Sequence, residues 1–347
     1  MHRRRTLIAA LALSAACLGL QATGAQGTAP GRDGRIAYYR YRLQNDPLWS
    51  EIYVTNVDGS GAHKVSHAPD GFQDEAPDWA PDGSRIAFQR CPPGNGRCTV
   101  WTTKPDGSGE TQLTPPCPPG KSVPACPDDT SPAFSPNGRE IAVSRYGLPP
   151  LRGLVVADTN LRHPRLVYGF HGAAGAPDIS SPTWAPNGRR LAFIVYNDNG
   201  RRWKPVNGWA IFVVGVDGSG LHRITSWRVS PPGTEATGKI DWSPDGARIL
   251  FRSGTGSDAG RGEGNLFTVE PDGTGLRRLT NFGQFGGVLR AGSYSPDGQS
   301  ILFATDLGAS APARDLPDVF VMRADGTDIR PVTRAPNWDA DPDWGTG

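Results

Sequence analysis

One phrase returns six times along this chain, and few folds can accommodate such a repeat. Asp78-Trp79-Ala80-Pro81-Asp82-Gly83 leads into Arg85-Ile86-Ala87-Phe88, and matching phrases begin at Ala133-Phe134, Thr183-Trp184, Asp241-Trp242 and Ser293-Tyr294. A shortened copy, Pro342-Asp343-Trp344-Gly345, ends the sequence. The aromatics at 79, 134, 184, 242, 294 and 344 are 50 to 58 residues apart. A second phrase alternates with the first: Asp58-Gly59, Asp106-Gly107, Asp217-Gly218, Asp272-Gly273 and Asp325-Gly326, with Thr159-Asn160 as its degenerate member. Several of these lead to a Leu-Thr or Ile-Thr pair, as at Leu113-Thr114, Ile224-Thr225 and Leu279-Thr280. Asp-Gly supplies the positive backbone angle of tight hairpin turns, and the β-branched and aromatic runs between the turns read as strands.

Each repeat therefore holds four strands: a, carrying the aromatic; b, as in Ile-Ala-Phe; c, before the Asp-Gly turn; and d, ending at the Thr. Six such repeats predict an all-β chain, a six-bladed β-propeller over residues 34–347. Gly34 to Tyr41 supplies strand b of the first blade with no strand a before it. The orphan copy at Asp341 to Trp344 is expected to fill that place and close the ring, removing an exposed sheet edge. Composition agrees: 45 Gly and 33 Pro oppose a helical bundle, while an aromatic content of 9% provides the apolar area that a disordered chain lacks.

The phrase aromatic-Ser-Pro-Asp-Gly-x-x-Ile-Ala-Phe followed by Asp-Gly-x-x-x-x-Leu-Thr resembles the TolB-type propeller repeat, across residues 34 to 345. The resemblance implies a binding scaffold; the family's namesake belongs to the periplasmic Tol–Pal envelope system and carries an α/β domain ahead of its propeller. Only about ten residues separate the expected leader from the first blade here, so that domain is not expected.

Arg3, Arg4 and Arg5, an apolar stretch from Leu7 to Leu20 and small residues near Gly24 read as a secretory signal peptide over residues 1–24, with 25–33 a short linker. The segment is short for a membrane span, and no other approaches the ~20 apolar residues needed. Cys17 makes lipid anchoring the lesser alternative to an exported, soluble protein, extracellular or in the cell envelope. Without the leader, 33 basic side chains face 34 acidic ones, a balance unsuited to nucleic acid. Cys91, Cys98, Cys117 and Cys126 remain, as suits export. Of three possible pairings, Cys91–Cys98 and Cys117–Cys126 are expected, each bracketing one Pro/Gly-rich loop; a crossed link stays compatible with neighbouring loops.

The short a–b and c–d turns should share one face, leaving the long, unequal b–c and d–a loops, including Trp203 and Lys204, on the other. Binding belongs on the variable face. The residue before each aromatic should approach the channel: Asp343, Asp78, Ala133, Thr183, Asp241 and Ser293. The candidate binding set is Glu75, Asp78, Asp129, Lys239, Asp241 and Asp343. Of these, Asp78, Asp241 and Asp343 form either an acidic funnel for a cation or basic peptide or, more simply, carboxylates bonded to neighbouring backbone. Glu75, Asp129 and Lys239 stand just before strand a at the channel mouth, where oriented charge can steer a ligand. The aromatics themselves are expected in the core. His63, His163 and His222 fall on outer strands, and only His67 and His171 on variable loops. No phosphate loop, Gly-x-Ser-x-Gly elbow or His-Glu-x-x-His occurs, so no cofactor, metal or catalytic residue is assigned. The expected function is a monomeric scaffold binding a protein or peptide; the alternative is a carbohydrate-active lyase or hydrolase built from loop acids and histidines.

Overall fold

The computed structural model describes residues 30–42, 49–94, 96–117, 119–120, 126–147, 151–169, 178–197, 208–226, 239–254, 264–282, 289–306, 317–334 and 336–347. Residues 1–29, Cys17 among them, and Trp203, Lys204 and His171 lie outside these. The described chain is all β and contains no helix. Its strands form five sheets in a propeller-like arrangement of four-stranded blades: four sheets of four strands, and one of eight. The eight-stranded sheet consists of two four-stranded halves that meet at a single parallel pair, Ser50 with Gln73.

The first half joins strands Asp33–Arg42, Trp49–Thr55 and His63–Lys64 to the C-terminal strand Trp338–Thr346, which pairs antiparallel with Asp33–Arg42. The second half runs a to d through Gln73–Trp79, Ile86–Cys91, Thr99–Thr103 and Thr111–Gln112. The remaining sheets begin with Asp128–Phe134, Ile179–Trp184, Asp241–Trp242 and Leu289–Tyr294, the four strands that carry the repeat aromatics. We number these units one to six in chain order, the C-terminal strand serving as strand a of the first.

The turns obey the chemistry of their sequence. The glycines of the Asp-Gly phrase take positive φ, from 81° at Gly107 to 94° at Gly326. They also lie tight against the preceding unit: a Cβ on Gly59 would stand 2.1 Å from Val332 O, and one on Gly326 2.3 Å from Leu279 O. Glycine is thus required twice over, by backbone angle and by close approach. In each such turn the Asp accepts from the Ser or Thr two residues on, as Asp58 Oδ1 does from Ser60 N (2.9 Å).

The Thr that ends strand d has a structural task. Its Oγ1 accepts from a strand c backbone N–H in the same unit: Val100 to Thr114 (2.9 Å), Ile211 to Thr225 (2.8 Å), Leu266 to Thr280 (3.0 Å) and Val319 to Thr333 (2.9 Å). Ser66 does the same for Ile52. The short strand d is thereby held to an edge that its two-residue ladder alone would leave frayed. Trp79, Phe134, Trp184, Trp242, Tyr294 and Trp344 are all buried, as the core reading of these aromatics expects. Cys91 is joined to Cys98, and Cys117 to Cys126.

Candidate binding site

Four of the six a strands carry the same kink. Ala76, Ser131, Ser181 and Asp341 have φ of 46° to 50°, and each precedes a proline. A residue before proline is ordinarily extended, and a non-glycine at positive φ costs on the order of 1–3 kcal/mol. Ladder register shifts at each kink, between Glu75 and Asp78, Thr130 and Ala133, Ser180 and Thr183, and at Ala340–Asp343 in the C-terminal strand. Such bulges re-aim the side chains beyond them.

Past the kink, the residue before each aromatic takes part in a belt of contacts between units. Asp343 Oδ2 accepts from Trp79 N (2.8 Å), Asp78 Oδ2 from Phe134 N (2.7 Å) and Asp241 Oδ2 from Tyr294 N (2.8 Å). Ser293 Oγ accepts from Trp344 N (2.8 Å). Ala133 has no side-chain acceptor, and there its carbonyl takes the Trp184 Nε1–H instead (3.0 Å). The simpler reading of these positions, carboxylates bonded to neighbouring backbone, describes this geometry.

The belt divides two cavities. A narrow one of about 40 Å³ lies on the side of the a–b turns, lined by Trp79–Pro81, Phe134–Pro136 and Trp344 beyond Asp78, Asp241 and Asp343. The wider one, about 230 Å³, lies on the strand-entry side, where the d–a connections arrive. Every unit contributes to its wall: Asp341 and Asp343; Ala76, Asp78 and Gln89; Ser131 and Pro132; Ser181, Pro182 and Thr183; Lys239, Ile240 and Asp241; and Arg290.

Its charges are strongly coupled. Lys239 reaches across from the fifth unit to donate to Asp343 Oδ1 (2.7 Å) and to Pro77 O. Burial by itself would lower the Lys239 pKa, but the carboxylates of Asp343, Asp78 and Asp241 together raise it. Asp78 is pushed well above the ordinary Asp value, by burial first and by the Asp343 carboxylate second, with Lys239 opposing. Burial likewise raises Asp341, against the pull of Arg290 and Lys239. Glu75 is raised by burial while accepting from the Tyr41 hydroxyl and from Gln89 Nε2 (3.2 Å).

Of the six expected site residues, Asp78, Lys239, Asp241 and Asp343 meet at this cavity. Glu75 stands behind its wall on Gln89. Asp129 does not belong there: it is fully buried between strands, paired with Arg145 at 2.6 and 2.9 Å and bonded by Thr114 (2.9 Å). It lies four residues before the belt position, whereas Glu75 lies three before, and one residue of strand moves a side chain to the opposite face. Two wall residues escape sequence reasoning. Asp341 carries a signal, the repeated x-Pro step before the aromatic; Arg290 carries none. Described histidines lie elsewhere: His63 contacts Gly61 O and Pro105 O, His222 contacts Gly220 O and Pro271 O, His163 is exposed beside Asp158, and His67 is 3.7 Å from Glu110.

No family model matches the chain. The Tol-Pal system protein TolB of Rhizorhabdus wittichii is 32% identical over 85 residues, 24% of this chain and 16% of that protein. TolB 1 of Novosphingobium aromaticivorans is 38% identical over 56 residues, 16% of this chain and 12% of its own. The matches thus span less than a fifth of these relatives. Among solved structures, TolB from Acinetobacter baumannii superposes with a TM-score of 0.61 at 18% identity, covering 93% of this chain and 68% of that one. Kuenenia stuttgartiensis hydrazine synthase gives 0.63 at 16% identity over 92% and 47%. At such identities the likeness concerns fold alone. The chain is similar to TolB proteins in sequence over part of its length, and in fold over nearly all of it.

Proposed function

We propose that this chain is an exported six-bladed TolB-like propeller that binds a protein or peptide at the wide end of its channel. Contacts between consecutive units support the ring: the belt bonds join the first to the second, the second to the third, the fifth to the sixth, and the sixth back to the first. Trp184 ties the fourth unit to the third, and Thr183 Oγ1 lies 3.4 Å from Asp241 Oδ1 of the fifth. The two disulfides are consistent with export.

One observation carries the binding reading: the wider cavity gathers charged side chains from four different units at the end where the variable connections arrive. Oriented charge in a concave site steers and orients a partner. The opposite end is narrow and ringed by short, stereotyped turns.

A pull-down with the protein as bait tests this. Capture should weaken severalfold when Lys239→Met and Glu75→Gln are combined, and should persist when Ser60, Ser108 and Ser219 in the Asp-Gly turns become Ala. The opposite pattern, in variants whose melting temperatures match the parent, would move the docking face to the turns.

A further inference from the structure

Most charged groups around the wide cavity have partners. Lys239 is paired with Asp343, Asp78 and Asp241 hold backbone N–H groups, and Glu75 is held by Tyr41 and Gln89. Two are different. Asp341, in the first unit, and Arg290, in the sixth, both line the cavity, and neither makes a hydrogen bond or an ion pair among the described residues. Asp341 Oδ1 and Arg290 Nε are shielded from solvent without a partner. The Arg290 guanidinium is 5.9 Å from the Trp338 ring, a contact that leaves its N–H donors uncommitted. The two charges feel each other's field, and Arg290 that of Glu75 and Asp341 that of Lys239, yet neither forms a pair.

Both side chains are half-buried. A charge partly withdrawn from water without a hydrogen-bonded partner is costly, so two of opposite sign in one cavity invite a molecule that answers both. A cation alone would leave Arg290 without a hydrogen-bond acceptor, and an anion alone would leave Asp341 without a donor. A neutral sugar would satisfy neither charge with charge. We infer that the cavity binds a small zwitterion of the α-amino acid class, its ammonium on Asp341 and its carboxylate on Arg290. Size agrees: about 230 Å³ is below the roughly 300–1,000 Å³ of pockets for larger ligands, and corresponds to a single residue. Pro132, Pro182 and Ile240, contributed by units three to five, offer an apolar wall for an aliphatic side chain. This ligand would occupy the same cavity at whose mouth a protein partner is proposed to dock, and its binding is read separately from capture of that partner.

Titration calorimetry on the full chain with three compounds tests the inference: L-leucine, leucinamide, which lacks the carboxylate, and N-acetyl-leucine, which lacks the ammonium. L-leucine should bind, and blocking either end should weaken it roughly tenfold or more, because a site built around a charge rejects the analogue without it. Asp341→Asn should remove the preference for leucine over N-acetyl-leucine, and Arg290→Gln the preference over leucinamide. The analogue series on the unmodified protein decides the matter even if a variant fails to fold. No heat with L-leucine in the millimolar range, or a blocked analogue binding as well as leucine, overturns the inference.

Discussion

The first three units and the later ones fasten strand a to strand b with different chemistry at the same place in the ladder. In the first three the facing residues are Asp339 with Arg40, Asp74 with Arg90, and Asp129 with Arg145. All three are bidentate pairs at 2.6 to 2.9 Å, with fully buried carboxylates. In the fourth unit the same step is Ile179 facing Val195, and in the sixth Leu289 facing Thr305. The ion pairs are further embedded: Arg40 lies 4.7 Å from the Tyr53 ring and Arg90 4.4 Å from Trp101, both on strand c. Thr114 of the second unit bonds Asp129 of the third, so the pair also joins neighbours. One fold thus tolerates a salt bridge or an apolar contact at one position. Buried ion pairs are about break-even against well-packed apolar residues, but they are far less forgiving when only half is removed.

The largest test removes one such pair together with the strand that carries it. Deleting residues 336–347 takes away Asp339, Asp343 and Trp344, and losing a buried Trp side chain alone costs ~3–5 kcal/mol. The truncated chain should lose its cooperative melting transition; if it melts with the intact protein, the C-terminal strand is not what secures the first unit.

Next in size is Arg145→Met, which strands the Asp129 carboxylate and should cost about 3–5 kcal/mol by chemical denaturation. Val195→Met at the matching position of the fourth unit should cost less, about 1–3 kcal/mol from overpacking. Equal losses would erase the distinction between the two kinds of unit. Both disulfides also fall among the first three units. Replacing Cys91 and Cys98 by Ser should lower stability by about 2.5 kcal/mol on the chain-entropy model, read in the same denaturation experiment.

A smaller effect is expected at the belt. Because the Asp78 pKa is raised in the folded protein, the native state binds more protons than the unfolded one between the ordinary Asp value of 3.8 and the raised value. Asp78 therefore takes stability away as pH climbs through that window. Asp78→Asn keeps an oxygen for Phe134 N and should raise the melting temperature at pH 8, with the gain vanishing near pH ~4. A gain that is the same at both pH values would mean that charge is not its cause. Smallest of all should be the exchange Asp129→Ile with Arg145→Val, which gives the third unit the facing pair of the fourth. Stability should stay within about 1 kcal/mol of the parent; a loss as large as that of Arg145→Met alone would show that the ion pair itself, and not merely its completeness, holds the strands.

The architecture was legible because its determinants are local. Asp-Gly and Pro-Asp-Gly turns, alternating strands and a recurrent aromatic each act within a few residues of themselves, so a four-stranded repeat can be read along the chain. Local pairing of the cysteines came in the same way, because each pair brackets one Pro/Gly-rich loop. The site was half legible. Asp78, Asp241 and Asp343 could be placed because the repeat puts them all beside the aromatic, and Lys239 because it lies two residues before one such Asp.

Asp129 was misplaced because strand faces alternate, and the kink before each x-Pro step shifts the count by a residue. Arg290 belongs to no phrase. Its meeting with Asp341 depends on how the sixth unit stands beside the C-terminal strand, which the ladder assigns to the first unit. Turn angles, strand alternation and core aromatics arise from short-range sterics and burial, which the sequence determines by itself. Which charges share one cavity, and which of them are left without a partner, depends on distances between units far apart in the chain, and only the tertiary structure decided it.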